Sequence, residues 1–164
     1  MRRTAFIVFL LPLALLLLSS PAVAAESCRA INATGVGSGA PTEPGDPPGL
    51  VRTRAQLADA GLLQGTTAAA FTVTGLTDTG ISFAGPLTIT TNRATVVVTL
   101  TGTLDLTTGQ FSGAGPIVAA TGKLSGATGS LTLSGQQDLT DPAGRFTETV
   151  SGSICVDLSA NGSS

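Results

Sequence analysis

Glu148 is the residue whose place in the chain most invites chemistry. Phe146, Val150, Ile154 and Val156 fall at even positions around it, with Leu158 beyond. Thr147, Thr149, Ser151, Ser153 and Asp157 take the odd ones. Strict alternation puts Glu148 on the apolar face, where a carboxylate loses hydration, its pKa rises and it suits general acid or base work. The same pattern allows a bulge that turns the side chain to solvent, or a structural pair with Arg145 or another arginine. Gln137 shares a face with Leu131, Leu133 and Leu139. It reads either as a hydrogen-bonding group in a pocket or as the frayed end of a strand before the Asp141 turn. Glu148 and Gln137 are therefore the candidate ligand-binding residues. No catalytic set is assigned, and Glu148 is its one weak candidate.

The missing residue types narrow the chemistry further. The sequence has no histidine, which removes Ser-His-Asp and Cys-His catalysis and any His-ligated metal. Two cysteines cannot complete a structural zinc site, and no Gly-rich phosphate loop carries its lysine. We expect no metal and no cofactor. Trp and Tyr are absent, and with them the aromatic platforms used for sugars and single-stranded nucleic acid. Arg52 and Arg54 point the same way if extended, and read as an anion site or as a solvated face. Asp138 and Asp141 flank a turn, where Asp makes local hydrogen bonds. The Thr-x-Thr pairs at 72/74, 88/90, 99/101/103 and 147/149 have no solenoid period, so ranked threonines for ice binding are not expected.

The elements that position these groups are strands. From residue 66 the period is two. Ala69, Phe71, Val73 and Gly75 share one face, as do Leu87 and Ile89, and Val96, Val98, Leu100, Gly102, Leu104 and Leu106. Turn residues punctuate the runs at Thr77–Gly80, Asn92-Arg93, Thr107–Gly109 and Asp141–Gly144, and such short connections force antiparallel neighbours. The expected strands are 27–33, 66–75, 81–91, 94–106, 109–120, 122–126, 129–139 and 145–158. Gly and Pro over 35–49 predict a loop or arm, and 53–63 reads equally as a helical turn or an irregular strand. Glycines such as Gly102, Gly113 and Gly152 suggest the bends that close a barrel, and Gly75, Gly102 and Gly152 suggest free interior space. The expected fold is all-β, a small closed antiparallel barrel of about eight strands, ahead of a two-sheet sandwich.

The beginning of the chain reads as an export signal. Arg2 and Arg3 precede an apolar run from Phe6 to Leu18, and small residues follow to a cleavage point near Ala24 or Ala25. Thirteen apolar residues fall short of the roughly 20 that span a bilayer, so no stable membrane anchor is expected. The expected division is 1–25 signal peptide, 26–50 first strand and Gly/Pro-rich loop, 51–160 barrel and 161–164 flexible tail. Without Arg2 and Arg3, six basic residues face ten acidic ones, which disfavours nucleic acid and anionic membranes as partners. Cys28 and Cys155 lie near opposite ends of the mature chain, and in a secreted or periplasmic setting they are expected to pair.

Residues 117–129 read Ile-Val-Ala-Ala-Thr-Gly-Lys-Leu-Ser-Gly-Ala-Thr-Gly. The segment resembles the Ile-Val-Gly-Gly-Thr-Gly-Lys-Phe stretch of dirigent-like and allene-oxide-cyclase-like barrels of the calycin type, in an exported bacterial branch. Ala119-Ala120 replaces its glycine pair and Leu124 its phenylalanine. The resemblance implies an eight-stranded antiparallel barrel, frequently a homotrimer. It carries over no active site, because the pocket carboxylates and tyrosines of those families find no match. The functional expectation is a non-catalytic barrel that binds a small apolar molecule or serves as a structural or interaction module. The alternative is an isomerase or cyclase that works by positioning its substrate.

Overall fold

The computed structural model describes residues 26–58 and 61–157. The expected signal peptide, the 161–164 tail and Leu158 lie outside the described residues. Eight strands follow in chain order: β1 Glu26–Ala40, β2 Leu50–Ala58, β3 Gly65–Leu76, β4 Gly80–Thr91, β5 Thr95–Asp105, β6 Gln110–Ala120, β7 Thr128–Gln137 and β8 Phe146–Asp157. Each pairs antiparallel with the next, and β8 returns to β1 to close the barrel. The cause is the period-two pattern: one face of each strand is apolar, and closure buries all these faces together without a free edge.

Three local expectations are corrected. Residues 35–40 are not loop: they continue β1, with 35–37 paired to both β2 and β8 and 38–40 to β2, and the connection is only 41–49. Glycines here mark crowding. A Cβ at Gly37 would strike the Phe146 ring, and one at Gly35 would crowd the Glu148 Cγ. The ambiguous stretch 53–63 is strand through Ala58, with Ala55 and Leu57 pointing inward, and a 3-10 turn at Gly61–Leu63. Residues 122–126 do not form a strand. Gly122–Leu124 is a 3-10 turn, and Gly122 takes a φ of 63°, a left-handed conformation that breaks a strand ladder and favours glycine.

The strand glycines also differ in role from the expected one. Register shifts fall at Val73–Gly75 and Val97–Val98, not at Gly102 or Gly113. Gly102 and Gly113 lie opposite each other with the Phe83 ring over both, so the space at Gly102 is filled. At Gly152 the Ser130 carbonyl and Leu131 occupy the space a side chain would need.

The two ends of the barrel are unlike. At one, the turns between β2 and β3 and between β6 and β7 fold inward, burying Leu63, Leu124 and Ala127 over Ile89, Val96 and Ile154. Each such aliphatic contributes roughly 1.5–3 kcal/mol through loss of water contact. The resembling segment 117–129 belongs to this plug, since it forms the end of β6, the Gly122–Leu124 turn and the start of β7. At the seam, Cys28 of β1 stands opposite Cys155 of β8, and the two are joined as a disulfide, as expected. Constraining the unfolded chain across 127 residues stabilises the fold by up to about 5 kcal/mol.

Candidate functional site

The other end of the barrel opens into a cavity of about 140 Å³. Phe71 on β3, Phe83 on β4, Phe111 on β6 and Phe146 on β8 all line it, together with Leu104 and Leu133. These are all of the aromatic residues beyond Phe9. They form two pairs: Phe71 and Phe83 are tilted with ring centres 4.8 Å apart, and Phe111 meets Phe146 edge to face at 5.9 Å.

Three of these rings rest on glycine. Phe83 covers Gly102, Phe111 covers Gly135, and Phe146 covers Gly37. In each case ring and glycine are direct partners across neighbouring strands. Bare backbone gives each ring the space that a Cβ on the facing strand would take. The cavity exists because the wall absorbs its aromatics.

Glu148 sits deep in this cavity and is only 4% exposed. Its neighbours across the two adjoining strands are Gly35 and Gly135, so no side chain from either strand shields it. The carboxylate reaches β3, where the hydroxyl of Thr67, 2% exposed, donates to its Oε1 at 2.9 Å. Burial removes hydration from the charged form and pushes the Glu148 pKa up, opposed by the Thr67 hydrogen bond. The bulge and the arginine pair both fail: Arg145 bonds Asp141 through its Nε in the β7–β8 turn. Among the described residues, Glu148 is the sole ionisable side chain lining the cavity.

Gln137 ends β7 and lines the same cavity at its mouth. Its backbone amide bonds the Gly109 carbonyl, which holds the strand end in place. The structure thus brings Glu148 and Gln137 to one pocket, while Leu139 beyond them lies half exposed outside it. Arg52 and Arg54 do not form an anion site. Arg52 grips Asp46 at 2.7 and 2.6 Å, and the Glu43 amide donates to the same carboxylate. The Arg52 hydrogen bonds come first in holding Asp46 down at about 2. This clasp pins the 41–49 connection beside the mouth, where Gly39 and Val51 border the cavity. Asp138 and Asp141 cap the β7–β8 turn through the amides of Thr140 and Ala143, as expected.

Thr67 and the aromatic convergence escaped the sequence reading. Thr67 keeps the inward parity of Ala69 and Phe71, a signal that was available in the alternation. The meeting of four phenylalanines depends on strand register, which no single strand announces.

No family model matches the chain, and no curated protein does. Among solved structures it is similar to a pterocarpan synthase dirigent protein, at 12% identity over 80% of this chain and 86% of that one, with a TM-score of 0.47.

Proposed function

We propose that this barrel is a binding module for a small apolar molecule bearing a polar group. One observation carries the reading: four phenylalanines converge on a single open cavity with one buried carboxyl among them. A cavity of this size suits a single ring, since an engineered apolar cavity of about 150 Å³ takes up benzene. The polar group of the guest would meet Glu148, and Gln137 would meet whatever projects from the mouth. The cross-strand disulfide supports a working place outside the cytoplasm.

Thermal unfolding against a panel of single-ring compounds tests this. A guest at a hundred times its Kd adds about 2.7 kcal/mol of stability, a rise of several degrees in Tm. Leu104→Trp, which puts a larger side chain at a position lining the cavity, should abolish the rise. A rise that persists in Leu104→Trp places the guest elsewhere.

A second reading, an isomerase or cyclase, is favoured by the buried state of Glu148, since burial raises its pKa and moves the carboxyl toward the range useful for proton transfer. No second titratable group lines the cavity, so such an enzyme would rely on positioning. Conversion of a bound guest that is lost in Glu148→Gln, with binding retained, would favour it over the binding module.

A further inference from the structure

We infer that the cavity selects small organic cations, a protonated amine on a single-ring apolar body, with the ammonium docked on Glu148. This rests on the binding reading and specifies its ligand class.

Three independent features converge on it. First, Thr67 occupies only Oε1 of the Glu148 carboxyl, and the second oxygen has no hydrogen-bond partner among the described residues. Yet no buried side-chain oxygen or nitrogen lacks a partner there, so that oxygen is open to the cavity its residue lines. An unused acceptor at the bottom of an apolar pocket calls for a donor, and an ammonium is the strongest one available. Second, among the described residues no Arg or Lys lines the cavity, whereas four phenylalanines do. Aromatic faces carry negative potential, which draws cations and offers an anion nothing.

Third, the approach is acidic. The strand ends and connections around the mouth carry Glu43, Asp46, Asp78, Asp105, Asp138 and Asp141 against Arg52 and Arg145. Six carboxylates against two arginines leave an excess of four negative charges. Both arginines are already engaged, and no salt bridge reaches Asp78, Asp105 or Asp138 among the described residues. At the opposite end the turns carry Arg93 and Lys123 and the strand ends carry Glu26 and Asp157, so the acidic excess is confined to the open end. This polarity concentrates cations at the open end and repels carboxylates.

Three probes of one shape separate the outcomes: benzylammonium, benzyl alcohol and benzoate, titrated by calorimetry into the disulfide-bonded protein at neutral pH. The expected order is benzylammonium tightest, about tenfold or more ahead of benzyl alcohol, with benzoate not binding. Close charge pairs at other protein interfaces show couplings at least that large. Glu148→Gln should bring ammonium and alcohol together, and raising the salt should slow ammonium association. Equal binding of ammonium and alcohol to the wild-type protein overturns the cation inference and leaves the binding module standing. Binding by none of the three overturns both. The wild-type comparison requires no variant to fold.

Discussion

The same eight strands build two different interiors. Toward the closed end the inward positions hold branched aliphatics such as Ile89, Val96, Val98, Leu100, Val150 and Ile154, all essentially inaccessible to water. Toward the open end they hold phenylalanine, each of three rings laid against a glycine of the adjoining strand. Filling an eight-stranded barrel with side chains is the default. Leaving part of it empty takes a device, and here the device is the large residue paired sideways with the smallest one. Packing stability therefore belongs to one half, and the proposed recognition to the other.

That division can be broken experimentally. The largest effect should come from the seam that unites the halves. Cys28→Ser with Cys155→Ser should cost up to about 5 kcal/mol in chemical denaturation. Next, Leu100→Ala or Ile89→Ala in the packed half should cost about 2–5 kcal/mol, with ligand affinity of the folded protein unchanged. Phe111→Ala in the open half should reverse that pattern, costing less stability than Leu100→Ala and most of the binding. Equal losses of both properties at both sites would erase the distinction.

A finer test uses pH. The raised pKa of Glu148 means that the folded protein holds this proton more firmly than the unfolded chain does. Its contribution is complete below the unfolded carboxylate value and is lost as pH rises through the folded value, about 1.4 kcal/mol for each unit of separation. Glu148→Gln should then melt increasingly above wild type as pH rises past the ordinary carboxylate value. Asp46, Asp105, Asp138 and Asp141 act with the opposite sign, since their lowered values make stability fall on acidification. Taking the difference between variant and wild type removes their share. The smallest effect belongs to Arg52→Ala, which should leave the denaturation midpoint in place while exposing 41–49 to proteolysis.

Much of this was legible in the residues, for physical reasons that can be named. Alternation survives in sequence, so the strands from Gly65 onward and the inward aim of Glu148 could be read directly. Gly35, Gly37 and Gly39 defeated the same reading. A glycine chosen to accommodate a neighbour's ring looks, in one dimension, like one chosen for a turn. The 122–126 stretch failed in the other direction, because the left-handed Gly122 decides the backbone there and small residues on either side conceal it. The cavity belongs to register, and register appears only when all eight strands are counted against one another.

The seam between β1 and β8 has a temporal meaning as well. The strands that close the barrel are the first and the last of the described chain, so most of the pairing of β1 cannot form until β8 exists. A chain emerging end-first can zip β2 through β7 as a meander of neighbours, but it holds an open edge until the final residues arrive. Folding dominated by such distant pairing is slow. The barrel thus remains an open meander until β8 has paired with β1, and it becomes a container only at that step.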